Sequence, residues 1–147
     1  MKKIIAIDVG NSETTVGLGN SKNWEGYRFT TRKTITSDEL LMMFKTIIDL
    51  DPIKENLIDG AIICSVVPQI TNSVATATSK FISKEAIVVG PGVKTGLKVN
   101  IDNPKELGPD RIANSIGGYI KSESAVIVID LGTATTFDLV NEKKEYL

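Results

Sequence analysis

Hydrophobic and polar positions along the chain follow two periods, and their order predicts a mixed α/β protein. Apolar runs rich in Ile or Val predict buried strands over residues 2–9, 57–67 and 124–130. Segments of β character predict further strands over residues 12–19, 24–33, 85–89 and 135–141. Apolar residues at helical spacing predict helices over residues 37–50, 68–82 and 109–121, the last with Ile112, Ile116, Tyr119 and Ile120 facing inward. The first three strands are joined by short turns, which favours an antiparallel meander.

Local signals mark where two of the helices begin. Thr36 and Glu39 form a capping-box pattern before the first helix, and Pro68 suits the first turn of the second. The resulting order is β-β-β-α-β-α-β-α, followed by the start of another β-β pair. The first eight elements match the ribonuclease-H-like order, a mixed sheet with parallel strands added through helical crossovers. We therefore expect a first domain over residues 1–122 and the beginning of a similar, truncated domain over 123–147.

Composition excludes several classes of function. The net charge of −1 provides no basic surface for nucleic acid, and the absence of histidine excludes a Ser-His-Asp or Cys-His mechanism. The single cysteine, Cys64, cannot form an internal disulfide and suits a reducing compartment. The apolar run after Met1 is too short for a signal peptide, and no run approaches the ~20 residues of a membrane span. We therefore expect a cytoplasmic protein without a membrane partner.

Two similar turns carry the main candidate chemistry. Asp8–Thr14 and Asp130–Thr136 each follow a buried strand, contain glycine and continue into small hydroxyl residues. Glycine lets a backbone approach an anion, successive N–H groups and hydroxyls can face phosphate, and aspartate can hold Mg²⁺. The alternative for either turn is a tight hairpin with exposed polar residues. The presence of both turns favours a nucleotide held between two related half-domains.

A third candidate lies where the last predicted helix begins, at Gly108-Pro109-Asp110-Arg111. Asp110 could accept a proton from a substrate hydroxyl, and Arg111 could bind a substrate carboxylate. The alternative is a helix-start acid followed by an exposed surface cation.

Together these segments resemble type III pantothenate kinases, of the actin, sugar kinase and Hsp70 ATPase superfamily, along nearly the whole chain. The similar motifs are Asp8-Val9-Gly10-Asn11-Ser12, Ser65-Val66-Val67-Pro68, Gly92-Val93-Lys94-Thr95-Gly96-Leu97, Asp102-Asn103-Pro104, Gly108-Pro109-Asp110-Arg111 and Asp130-Leu131-Gly132-Thr133-Ala134-Thr135-Thr136. The resemblance implies an actin-like fold and a homodimer. It implies ATP-dependent phosphorylation of pantothenate, the first step towards coenzyme A, with Mg²⁺ and a monovalent cation such as K⁺ or NH₄⁺.

The resemblance also implies roles for individual residues. Asp110 resembles the catalytic base, and Gly108 and Arg111 resemble pantothenate-binding positions. Asp130 resembles the acid near the monovalent cation, and Asp8 would hold Mg²⁺ directly or through water. The phosphate-binding positions would be Asp8, Gly10, Asn11, Ser12, Gly132, Thr133 and Thr135.

The chain departs from the family pattern in three respects. Pro109 stands where alanine is frequent, and Ile101 stands where some members place a substrate-contacting tyrosine. Family members also have a much longer second domain, so we expect this chain to be a fragment that is inactive alone. Two alternatives remain: another small-molecule kinase or a phosphatase of the superfamily, and a non-catalytic regulatory or assembly module that keeps the fold.

Overall fold

The computed structural model describes residues 2–50 and 58–147. The chain divides into two compact units, residues 1–88 and residues 89–147. The predicted start of the strand at Leu57 lies outside the described part. No helix within that part is both long and apolar enough to span a membrane.

The first unit is a five-stranded mixed sheet with two helices. Its elements are β1 (Lys3–Val9), β2 (Glu13–Gly19), β3 (Trp24–Thr30), α1 (Ser37–Leu50), β4 (Ile58–Ser65), α2 (Pro68–Ile82) and β5 (Ile87–Val88). The strand order is β3-β2-β1-β4-β5. β1, β2 and β3 pair antiparallel, whereas β4 pairs parallel with both β1 and β5. The predicted meander and parallel additions are therefore confirmed.

The core of this unit lies between the sheet and the two helices. Alternate residues of β1 are buried, and Ile63 of β4 is fully buried beside them. Phe44 of α1 and Phe81 of α2 pack with ring centroids 5.8 Å apart. The predicted capping box is confirmed: the Thr36 N–H donates to Glu39 Oε2 at 2.9 Å, and the Glu39 N–H donates to Thr36 Oγ1 at 3.3 Å.

The second unit is a four-stranded sheet with one long helix. Its elements are β6 (Lys98–Val99), a 3₁₀ turn (Pro104–Glu106), α3 (Pro109–Ser122), β7 (Val126–Leu131), β8 (Thr135–Val140) and β9 (Glu145–Tyr146). The strand order of this sheet is β6-β9-β8-β7. Among its described strands, β6 and β9 pair parallel, and the other two pairs are antiparallel. The predicted last hairpin is thus extended by two short strands.

Helix α3 packs against β7 and β8 within the second unit. Ile112, Ile116 and Tyr119 join the small core there, as predicted. Ile120 was also predicted to face inward, and this was wrong because its side chain is 64% exposed. Successive residues point in different directions around a helix, so Ile120, next to Tyr119, faces away from the sheet. The predicted domain boundary at residue 122 stays a prediction.

The two faces of the β7–β8 hairpin differ. Asp138 and Val140 of β8 are fully buried on the face that meets α3. Large apolar side chains on the opposite face are 41–80% exposed: Ile127, Ile129, Leu131, Phe137 and Leu139. Because strand residues alternate between faces, this exposure is a property of one whole sheet face.

Candidate functional site

The first turn follows β1 and is closed by its own backbone. The Gly10 N–H donates to the Glu13 carbonyl at 3.0 Å. A Cβ atom on residue 10 would lie 2.9 Å from that carbonyl oxygen, so the turn requires glycine there. Asp8 is exposed at the end of β1, paired in register with Thr15 of β2.

Thr31, which follows β3, holds this turn in place through hydrogen bonds, and this role was not predicted. Its hydroxyl donates to the Gly10 carbonyl at 2.7 Å and lies 2.8 Å from the Thr14 hydroxyl. Its N–H donates to the Ser12 carbonyl at 2.9 Å. These bonds explain why β3 ends at Thr30 rather than at the predicted Lys33. The signal was present in the meander, because the residue that follows β3 must lie beside the turn between β1 and β2.

The predicted phosphate-binding residues Asn11 and Ser12 are exposed at the tip of the first turn. Their side chains therefore lie where a ligand from solvent can reach them, on a backbone held by Thr31. Their binding of phosphate stays a prediction.

The second turn joins β7 to β8. Asp130 pairs in register with Thr136, and Leu131 pairs with Thr135. Gly132, Thr133 and Thr135 are exposed. A Cβ atom on Gly132 would have its nearest neighbour at 3.7 Å, an ordinary contact, so the fold itself does not require glycine there.

Asp130 is held by the neighbouring helix. The Asn114 side-chain amide of α3 donates to Asp130 Oδ2 at 3.1 Å. Further along, a Cβ atom on Gly118 would lie 2.6 Å from Val128 Cγ2, so α3 and β7 are in close contact. From the first contact to the second, the residue number rises along the helix and falls along the strand. Helix α3 is therefore antiparallel to β7.

This arrangement brings two predicted site residues to one end of the second unit. Asp110 precedes Asn114 by four residues, on the same helix face and about 6 Å along its axis. Asn114 contacts Asp130, so the first turn of α3, with the half-buried Asp110, lies near the second turn. Asn114 was not predicted, although its spacing from Asp110 was a visible signal.

The start of α3 joins Gly108 to Asp110. Gly108 is the N-cap, its carbonyl accepts from the Ile112 N–H at 3.2 Å, and Pro109 occupies the first turn. The Asp110 carboxylate accepts from the Arg111 N–H at 2.8 Å. A Cβ atom on residue 108 would collide with the Asp110 carboxylate. Glycine at 108 therefore provides the space that this carboxylate occupies.

Arg111 is anchored by contacts within the protein, although its side chain stays 35% exposed. Its Nε and Nη2 atoms both lie 2.7 Å from Asp138 Oδ1, and Nη2 also donates to the Phe137 carbonyl at 3.2 Å. The Tyr146 hydroxyl donates to the same Asp138 Oδ1 at 2.6 Å. Asp138 and Tyr146 were not predicted, although an acid among the inward positions of β8 was a detectable anomaly.

The pKa values of this cluster follow from burial and charge. Burial alone would lower the pKa of Arg111, but its hydrogen bond and charge interaction with Asp138 raise that pKa above its ordinary value. Burial, together with the bond to the Asp138 carboxylate, raises the pKa of Tyr146 to about 12. The guanidinium therefore stays charged and the phenol stays neutral at physiological pH.

Comparison with known proteins places these residues in a family. The sequence model described as Type III pantothenate kinase matches residues 4–147. The chain belongs to the type III pantothenate kinase family. It is 42% identical over 147 residues to the type III pantothenate kinase of Geotalea daltonii, covering 97% of this chain and 56% of that protein. It is 38% identical over 144 residues to that of an Exiguobacterium species, covering 97% and 57%.

The chain thus spans about half the length of the type III pantothenate kinases it matches. Solved structures share its fold. YeaZ from Pseudomonas aeruginosa superposes with a TM-score of 0.52 at 9% identity, covering 96% of this chain and 61% of that one. A putative sugar kinase from Cytophaga hutchinsonii gives 0.51 at 16% identity, covering 99% and 49%. The predicted α/β class and its mixed sheet are confirmed.

The predicted Mg²⁺ ligand is a single exposed carboxylate, that of Asp8. Residues 2–50 and 58–147 contain no group of three or more His, Cys, Asp or Glu side chains arranged around a metal. Mg²⁺ commonly keeps several waters and takes only one or two carboxylates beside substrate phosphates. A single exposed carboxylate such as that of Asp8 is compatible with this coordination. The role of Asp8 in metal binding stays a prediction.

Proposed function

We propose that the protein to which these residues belong phosphorylates pantothenate with ATP. The observation that carries the proposal is the start of α3, where Gly108 leaves room for the Asp110 carboxylate. The family match along residues 4–147 supports the choice of substrate.

In this proposal each element of the site has one task. The two turns, with Asp8, Gly10, Asn11 and Ser12 in one and Gly132, Thr133 and Thr135 in the other, bind the phosphates of ATP. Asp110 orients the pantothenate hydroxyl and accepts its proton as the hydroxyl attacks the γ-phosphorus. Gly108 and Arg111 bind pantothenate, the guanidinium pairing with its carboxylate. Positioning supplies most of the acceleration, as in other phosphoryl transfers.

Ions and assembly complete the proposal. Bound Mg²⁺ would neutralise phosphate charge from the side of Asp8. A monovalent cation, K⁺ or NH₄⁺, would lie near Asp130. The full-length enzyme would be a cytoplasmic homodimer. The 147 residues alone are proposed to catalyse no turnover, because they span about half of their relatives.

The decisive experiment replaces one residue in a full-length family member that carries this segment. Asp110→Asn keeps the size of the side chain and removes the proton acceptor. We expect pantothenate phosphorylation to be abolished while ATP affinity, measured by calorimetry, stays within about twofold. Normal turnover by the variant would remove Asp110 from the mechanism.

Two further assays address the substrate and the isolated chain. A panel of hydroxyl substrates given to the full-length protein should show phosphorylation of pantothenate and not of sugars. Preference for another alcohol would contradict the substrate assignment. Incubation of the 147-residue chain with ATP, Mg²⁺, K⁺ and labelled pantothenate should give no product, and measurable product would refute its inactivity.

A further inference from the structure

The Asp138 carboxylate is fully buried, and one of its two oxygens makes three polar contacts. Its Oδ1 accepts from Arg111 Nε, Arg111 Nη2 and the Tyr146 hydroxyl, all within 2.7 Å. Its Oδ2 is also buried and has no hydrogen-bond partner among the described residues. A buried acid with one unsatisfied oxygen costs free energy, so stability alone does not account for it.

This geometry fixes the orientation of the Arg111 guanidinium. Arg111 is 35% exposed at its side chain, so its guanidinium borders solvent, while Asp138 beneath it is inaccessible. The contacts with Asp138 and the Phe137 carbonyl use Nε and Nη2. Nη1 takes part in none of these contacts, so it is the nitrogen left to meet an anion. A guanidinium held at one edge loses little further freedom when its other edge meets a carboxylate.

We infer that Asp138 is a positioning residue that fixes the Arg111 guanidinium for the carboxylate of the substrate. Asp138 acts through Arg111 and does not itself touch the substrate. This inference rests on the proposed function for the identity of the substrate, but the fixed guanidinium can be observed without it.

Tyr146 provides a matched control. Its hydroxyl bonds to the same oxygen of Asp138, but it is not part of the Arg111–Asp138 ion pair. Tyr146→Phe removes one hydrogen bond from the cluster and leaves both guanidinium contacts in place. Asp138→Asn keeps the shape of the side chain and removes the charge that holds Arg111.

The test uses a full-length family member that carries this segment, and it has two readouts. The first is the affinity for pantothenate, with the analogue whose carboxylate is replaced by an alcohol as a reference. The second is the Arg111 Nε–Hε signal in a ¹H–¹⁵N spectrum and its exchange with water. We expect Asp138→Asn to lower the affinity for pantothenate about tenfold or more and to speed the exchange of Hε with water. The affinity for the alcohol analogue should change little. Tyr146→Phe should leave both readouts within about twofold of the unmodified protein.

Three results would overturn the inference. One is unchanged pantothenate affinity and Hε protection in Asp138→Asn. Another is an equal loss of affinity in Tyr146→Phe, since that would indicate a general effect of core damage. If Asp138→Asn does not fold, Arg111→Lys replaces it, because lysine keeps the charge and loses the fork of donors. Full pantothenate affinity in Arg111→Lys would be the third contrary result.

Failure of the proposed function looks different. An unmodified full-length protein with no measurable affinity for pantothenate would count against this substrate assignment. The Hε signal would then decide the inference alone: protection in the unmodified protein and in Tyr146→Phe, lost in Asp138→Asn, supports a positioned guanidinium, and equal exchange in all three contradicts it.

Discussion

The Thr31 hydroxyl donates a hydrogen bond of 2.7 Å to the Gly10 carbonyl and so joins the end of β3 to the turn after β1. Thr31→Val keeps the shape of the side chain and deletes this bond together with the contact to the buried Thr14 hydroxyl. Two polar groups lose their partner, and we expect a loss of about 1–3 kcal/mol in the free energy of unfolding, measured with urea.

Thr30 offers a neighbouring control for that change. It is the last residue of β3, immediately before Thr31, and its side chain is exposed, so Thr30→Val should alter the free energy of unfolding by no more than about 0.5 kcal/mol. Equal effects of the two substitutions would show that the Thr31 hydroxyl does not fasten the turn.

Most of the fold could be predicted because period and turn length act locally. The helical spacing of Leu40, Phe44 and Ile47 and the capping residue Thr36 led to α1 in its observed place. The inward orientation of Ile120 was predicted by the same periodicity and was wrong, because spacing indicates a stripe and cannot show how wide the opposing sheet is. The width of that contact depends on tertiary packing.

The candidate site was predictable only in part. Asp110 and Asp130 could be named from the turns that contain them, because turn chemistry is local. The spacing of Asn114 from Asp110 was visible in the sequence, but its contact with Asp130 was not, because that contact depends on the register between a helix and a strand. Asp138 is a similar case, since its partner Arg111 lies 27 residues earlier in the chain.

Alkaline pH should weaken the second unit through Tyr146. Its pKa rises from an ordinary 10.0 to about 12 in the folded protein. Between these values the unfolded state has lost the proton and the folded state keeps it. The stabilisation is therefore complete below pH 10 and is lost as pH rises towards 12, by a total of about 2–3 kcal/mol.

Spectrophotometric titration near 295 nm measures this directly. The difference between the unmodified chain and Tyr146→Phe should be a phenol that titrates near pH 12, and the variant should lose less stability between pH 10 and 12. A difference curve centred at pH 10 would contradict the protected position of this hydroxyl.

The exposed apolar face of β7 and β8 should bind a hydrophobic dye. Ile129 and Phe137 pair in register on this face and are 56% and 64% exposed. Replacing both with threonine should reduce the fluorescence of added anilinonaphthalene sulfonate severalfold, because the contiguous apolar patch is broken. The melting temperature should change little, since neither side chain is buried. Undiminished dye fluorescence would place the binding surface elsewhere.

Two adjacent glycines of α3 provide the sharpest test of how this helix packs. A Cβ atom on Gly118 would lie 2.6 Å from Val128 Cγ2, whereas a Cβ atom on Gly117 would meet nothing within 4 Å. Gly118→Ala should therefore destabilise the protein by about 1–3 kcal/mol through overpacking against β7. Gly117→Ala should stabilise it by about 0.5–1 kcal/mol, because alanine has the higher helix propensity. Urea unfolding of both variants measures the two effects, and a stabilising Gly118→Ala would mean that α3 lies further from β7 than this structure places it.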